Sequence, residues 1–318
     1  MNVQAPFGFV TGCHAGDRFM VQATLASIRH YCPEVPICLV VDGLFDVSDL
    51  EQEYKLIVLR VPELPSKEMR EMIGGNYRAK LAAMWEGPFE FYFWLDSDAI
   101  VWGDFTSQIR QDLDFQICWK EVPQPSQPGG VDGFQHFYFK PELLKKFDPQ
   151  FKPQGLNYFC SGVFGCRRNA ISFGDWVKVE SWERQSPELF SWGEMGMLNY
   201  LVHSMAQRGQ LKIDSADLQH VWAHHGKQEL MDDCAECGWH FPINVRRPRA
   251  AHFCYRKPFL FDRKAYSRPF TIARLEHHRR RHNNLGAWLA VLNEDRAVLA
   301  GKVVRRTKRF LPETSSKQ

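Results

Sequence analysis

Two carboxylates one residue apart, Asp96 and Asp98, follow the apolar run FYFWL at 91–95. A short apolar run bounded by polar residues predicts a buried strand. Side chains alternate along extended backbone, so both carboxylates are expected on one side of the strand's end. Convergent carboxylates repel unless a cation lies between them, and Mg²⁺ and Mn²⁺ prefer oxygen ligands. Mg²⁺ usually keeps one or two protein carboxylates and takes phosphate oxygens besides. The pair therefore predicts a divalent-metal site that holds a phosphorylated substrate. His252 closes a short apolar run and is the candidate third ligand, since imidazole suits Mn²⁺ better than Mg²⁺. Lys257, close behind it, could neutralise a leaving diphosphate. Gly74 and Gly75, followed by Arg78 and Lys80 at the start of an expected helix, form a candidate anion site.

The elements that must position these residues are legible as alternating patterns. Apolar runs at 7–11, 36–41, 56–61 and 91–95 predict strands. Val21, Leu25, Ile28 and Cys32 recur at helical spacing after Asp17, and Tyr77, Leu81 and Met84 mark a helix over 76–85. Strands alternating with helices predict an α/β fold with a mostly parallel sheet. Ligands of such sheets bind beyond the carboxyl ends of the strands, where Thr11, Asp42 and Asp96 fall. The Pro/Gly-rich stretch 122–133 reads as a long loop of the kind that covers a cleft. Further strands are expected at 137–139, 159–164 and 250–254, and helices at 171–182 and 195–203. Residues 220–249 are irregular in pattern. From Arg274 the chain reads as helical, with an apolar stripe of Leu285, Trp288, Leu289 and Leu292.

Composition narrows the class. The 318 residues include 44% hydrophobic and 24% charged residues, which is ordinary for a globular protein with a filled core. Aromatics reach 14%, with ten Trp, which suggests an aromatic-lined cleft as well as core. No stretch approaches the length of a membrane span, and the first residues lack a basic region followed by an apolar one. Nine irregularly spaced cysteines fit free thiols in a reducing compartment, so a cytoplasmic protein is expected. Residues 263–310 hold 13 Lys/Arg against 3 Asp/Glu, while the remainder holds 27 against 34. An acidic body thus carries a basic helical extension, 263–318, which predicts peripheral contact with an anionic membrane. Nucleic acid is not the expected partner.

The ordered motifs resemble the GT-A fold of nucleotide-sugar glycosyltransferases, in particular the retaining glycogenin and galactosyltransferase type. Arg78-Ala-Lys80-Leu81 precedes Leu95-Asp-Ser-Asp98. Then come the small-residue segment Cys160-Ser161-Gly162, the helix start Glu194-Met195 to Leu198-Asn199, and His252-Phe-Cys-Tyr-Arg-Lys257-Pro258. The family has Asp-Gln where this chain has Glu194-Met195. The resemblance covers about residues 5–260. It implies a catalytic domain over 1–262, with a nucleotide-binding half to about 105 and an acceptor-binding half beyond. It implies Asp96, Asp98 and His252 on Mn²⁺ or Mg²⁺, Thr11 and Asp42 at the nucleoside, and Arg78, Lys80 and Lys257 at the diphosphate. Glu194 and Ser161 would be the catalytic residues. The donor would be a nucleotide sugar, a UDP-sugar first of all, and the acceptor a glycan, glycolipid or small molecule. Two other classes stay open. A haloacid-dehalogenase-like phosphatase would use Asp96 as its nucleophile. A zinc or nucleic-acid module would draw on Cys234 and Cys237 with His224, His225, His240 or Cys254.

Overall fold

The computed structural model describes residues 3–75, 77–119, 134–221, 228–254, 258–260 and 264–310. Ten strands occur among them: β1 (Ala5–Cys13), β2 (Ile37–Val41), β3 (Leu56–Arg60), β4 (Phe89–Leu95), β5 (Ala99–Trp102), β6 (Phe115–Ile117), β7 (Val163–Arg167), β8 (Ile213–Ser215), β9 (Gln219–Val221) and β10 (Arg249–His252). The helices are α1 (Arg18–Tyr31), α2 (Ser48–Tyr54), α3 (Lys67–Ile73), α4 (Leu81–Glu86), α5 (Pro141–Phe147), α6 (Phe173–Gln185), α7 (Glu194–Gln207), α8 (Gln228–Glu236), α9 (Lys264–Arg279) and α10 (Asn284–Phe310).

Seven strands form one sheet in the order β3-β2-β1-β4-β7-β6-β8, with β7 antiparallel to both its neighbours. Every residue of β2 is buried, and Glu90 is the one exposed residue of β4. That is why these strands read as continuous apolar runs: both faces of a central parallel strand are covered. A second sheet, β5-β10-β9, begins where the first ends, because three residues after β4 the chain enters β5. Helix α1 lies between the two. Its Val21, Leu25 and Ile28 pack with Phe9, Ile37 and Leu39 of the large sheet. Its Phe19, Met20 and Ala23 pack with Ile100, Ala251 and, from α9, Phe270 and Ala273. A helix buried on two sides cannot show a single apolar stripe, and all of residues 19–28 are buried.

The core therefore runs on through α9. Helix α10 packs on α9 through Ala287 and Val291, and the buried guanidinium of Arg274 pairs with Glu294 and Asp295, each at 2.8 Å. The stripe expected to line one face of α10 is divided. Trp288 and Leu292 are half-buried, whereas Leu285 and Leu289 stand 69% and 52% exposed. No helix among the described residues is long and apolar enough to cross a membrane.

Three local expectations change. The strand expected at 137–139 is a 3-10 turn over Phe134–Phe137, followed by a single bridge from Phe139 to Phe190. Tyr138 stacks on Tyr158 and Phe139 meets Phe151 edge to face, instead of forming a ladder. The strand expected from 159 begins at Val163, because the side-chain amide of Asn199 takes both backbone groups of Phe159, at 2.9 and 2.8 Å. The irregular stretch contains α8, an amphipathic helix that buries Leu230 and Cys234. The loop 122–133, Lys257, His224 and His225 lie outside the described residues.

Candidate metal and donor site

Asp96 and Asp98 do converge, for a reason other than alternation. They occupy a tight turn rather than extended backbone, closed by the Ala99 N–H donating to the Asp96 carbonyl at 2.9 Å. The turn is held from three sides. The Asp96 N–H donates to the Gly162 carbonyl at 2.8 Å, and the Phe253 N–H donates to the Asp98 carbonyl at 2.9 Å. From α1, the Thr24 hydroxyl lies 2.9 and 2.8 Å from the carbonyls of Ser97 and Ala99, and the Val101 N–H donates to the Ser27 hydroxyl. Polar residues in a fully buried helix are costly unless they satisfy such backbone groups.

The candidate third ligand arrives through the small sheet. β10 runs antiparallel to β5, and its last residue, His252, pairs with Ala99, the residue after Asp98. His252 Nε2 lies 3.2 Å from Asp98 Oδ1 and 3.7 Å from Asp96 Oδ2. One ligand atom from each of Asp96, Asp98 and His252 falls within 4.8 Å of the others, and this is the one such cluster of metal-binding side chains among the described residues. The imidazole is clamped: a Cβ on Gly162 would come within 2.0 Å of its Cε1. At Nδ1 it meets the Gln219 amide at 2.8 Å and the Cys160 sulfur at 3.7 Å. Burial alone would lower its pKa, but the Cys160 sulfur and Asp98 outweigh burial and push it up to about 10. The Cys160 thiol, hydrogen-bonded to the free thiol of Cys254 and beside that imidazole, is drawn below the ordinary cysteine range.

Lys80 connects this corner to α7. Its ammonium is buried, 3.1 Å from Asp96 Oδ1 and 3.0 Å from Glu194 Oε1. Burial would strip its proton, yet Asp96 and Glu194 more than offset that and hold it charged. Ser161 Oγ donates to Glu194 at 3.2 Å, and Trp94 Nε1 donates to Asp96 at 2.7 Å. Asp96 and Glu194 thus share one lysine, and Asp98 lies against His252. With His252 neutral, the cluster lacks two positive charges, which one divalent cation would supply. Two carboxylates and an imidazole form a donor set that fits Mn²⁺ and also accepts Mg²⁺.

The remaining expected residues are placed as follows. Thr11, on β1, is buried, and its hydroxyl has no hydrogen-bond partner. Asp42, directly after β2, accepts the Gly75 N–H with both oxygens at 2.9 Å. Arg78 is turned to α6, where Glu180 and Glu183 pair with it. α4 is preceded by a 3-10 turn, and Arg78 and Lys80 are both engaged by carboxylates. No zinc cluster forms around Cys234 and Cys237 among the described residues. Cys234 packs in an apolar cluster with Trp102 and Phe241, where burial pushes its thiol up to about 12. Trp94, Asn199 and Gln219 were not legible as site residues, since their roles come from partners distant in sequence or from a bond across a turn.

Solved structures share this architecture. A galactosyltransferase, LgtC, in complex with donor and acceptor sugar analogues matches with a TM-score of 0.50 at 13% identity, covering 86% of this chain and 95% of its own. An active-site mutant of LgtC matches over the same shares with the same score and identity. The glycosyltransferase GlyE of Streptococcus pneumoniae TIGR4 matches with a TM-score of 0.49 at 15% identity, covering 94% of this chain and 64% of its own. The chain has the GT-A fold. No family profile and no curated relative matches it. Within the GT-A frame, Asp96, Asp98 and His252 sit at the carboxyl end of β4, on the side of the sheet where open α/β folds bind their ligands.

Proposed function

We propose that the chain is a metal-dependent glycosyltransferase that moves a sugar from a nucleotide diphosphate, a UDP-sugar, to a hydroxyl of a glycan, glycolipid or small-molecule acceptor. The observation that carries this reading is the Asp96–Asp98–His252 cluster at a strand end of a GT-A fold. The sugar-analogue complex of the galactosyltransferase with this fold supports the substrate class. A bound Mn²⁺ or Mg²⁺ would neutralise the charge that builds on the departing diphosphate. In the transfer, the bond from the anomeric carbon to the diphosphate oxygen breaks, the acceptor oxygen bonds to that carbon, and the acceptor's proton passes to the departing diphosphate.

The chain's own residues have distinct parts in this reading. Lys80 holds Asp96 and Glu194 in register, so the metal side and the acceptor side of the cleft cannot move independently. Glu194, with Ser161 on its oxygen, faces the reacting sugar. Thr11 offers an unsatisfied hydroxyl for the nucleoside, and Asp42 orders the loop at Gly75 beside it. Lys257 is assigned to the diphosphate by motif alone. On the acceptor side, Trp192 is 63% exposed two residues before Glu194 and stacks on Phe137 with centroids 5.4 Å apart. Such a platform suits the apolar face of a sugar ring. The anionic-surface contact expected of 263–310 is assigned to the outer face of α10, where Leu285, Leu289 and Leu299 are exposed. Arg279, Arg280 and Arg281 each also meet a partner within the protein.

The test is Mn²⁺ and UDP binding by the full chain, followed by hydrolysis or transfer across a set of nucleotide sugars. Asp98→Asn should abolish Mn²⁺-dependent UDP binding and reduce turnover at least about 100-fold, while the fold persists. Because a protonated His252 cannot ligate, Mn²⁺ affinity should climb with pH, up to about tenfold per unit below the imidazole's pKa. Turnover of Asp98→Asn at the wild-type rate would sink the reading.

A further inference from the structure

Beside the metal cluster, Gln219 buries a polar side chain that the ligand set does not use. Gln219 lies on β9, which runs parallel to β10, and it pairs with Ala250 two residues from His252. It is 2% exposed, and its amide meets His252 Nδ1 at 2.8 Å. With the amide nitrogen turned to the ring, its oxygen is buried and has no hydrogen-bond partner. Leaving a buried carbonyl oxygen unpaired is costly. The two ends of an amide have nearly the same shape, so hydrogen-bonding chemistry decides which end faces the ring.

The other ring nitrogen decides the matter. Nε2 faces Asp98 and Asp96, so it is the atom that a metal would take. Turning the ring over would set carbon atoms against Asp98 and the Gln219 amide and forfeit both contacts. A neutral imidazole that ligates through Nε2 carries its proton on Nδ1, and that proton needs an acceptor. The Gln219 oxygen, with its amide turned over, is in place, and it would gain the partner it lacks. The Cys160 sulfur at 3.7 Å is a longer and weaker alternative. We propose that Gln219 is a positioning residue that accepts the Nδ1 proton of His252 and thereby holds the Nε2 lone pair toward the metal.

This inference rests on the proposed metal site, and the experiment separates the two. Mn²⁺ is titrated into the full chain with and without UDP, reading free Mn²⁺ by electron paramagnetic resonance. Gln219→Met removes the acceptor at similar length and should weaken Mn²⁺ binding about 10- to 100-fold. Gln219→Glu restores an oxygen and should return affinity to within a few-fold of wild type. In Mg²⁺-loaded wild type, ¹⁵N-histidine spectra should show His252 protonated at Nδ1. Wild-type affinity in Gln219→Met, affinity in Gln219→Glu as weak as in Gln219→Met, or a proton on Nε2 in the loaded protein would each overturn it. If Gln219→Met fails to fold, the Glu variant and the spectrum still decide. Loss of Mn²⁺ in Asp98→Asn but not in Gln219→Met would remove only the role of Gln219. A wild type that binds no Mn²⁺ would remove both readings.

Discussion

Two cation clusters in this molecule meet their acids in opposite settings. Lys80 lies deep in the domain and serves Asp96 and Glu194 together, with a side chain 6% exposed. Arg280 and Arg281 lie just beyond the end of α9 with side chains 32% and 40% exposed. There Arg280 stacks on Tyr54, and Arg281 pairs with Asp49 and Glu53 of α2. Water screens the surface cluster, so each pair adds little and any one is dispensable. The buried cluster has no such relief: every charge depends on the others, and the surplus of carboxylates calls for another cation. The same residue types thus build a dock between helices in one place and a buried, mutually dependent charge cluster in the other.

Removing the shared cation should have the largest effect. Lys80→Met leaves Glu194 buried and Asp96 partly buried without their partner, and should cost roughly 3 kcal/mol in urea unfolding while reducing transfer to background. Glu194→Gln in the same chain should return part of that stability, since one uncompensated charge is gone. A Lys80→Met protein with an unchanged urea midpoint would mean that the carboxylates find other partners, and the contrast between the clusters would fail.

An intermediate effect should come from Thr24, which touches none of the proposed ligands. Thr24→Val keeps the shape but takes the hydroxyl from the carbonyls of Ser97 and Ala99. A loss of about 1–3 kcal/mol is expected, with weaker Mn²⁺ binding as the turn relaxes. Measuring stability and metal affinity in one variant sharpens the comparison, because a purely structural bond would change only the first. The smallest effect belongs to the surface. Arg281→Ala should cost at most about 1 kcal/mol, less at high salt, with transfer unchanged.

Much of the frame was legible in the residues alone. FYFWL marks β4 because a strand covered on both faces must be apolar throughout, and the alternation of such runs with helical spacing requires a parallel sheet. Asp-Ser-Asp at its end and His252 closing the short apolar run of β10 mark a candidate metal site by residue chemistry. The tertiary structure decided what depends on partners far along the chain. It brought Asp96 and Asp98 together by a turn between two sheets, not by strand alternation. It directed Lys80 to two carboxylates and Arg78 to α6, where the sequence pattern suggested a shared anion site. It began β7 at Val163, because Asn199 had already claimed the backbone of Phe159. It placed Gln219 on His252 through the pairing of β9 with β10, a register that no local pattern encodes. Periodicity reports how deeply each residue is buried. Which buried polar groups meet is settled by strand register and helix packing across 33 to 102 residues of separation.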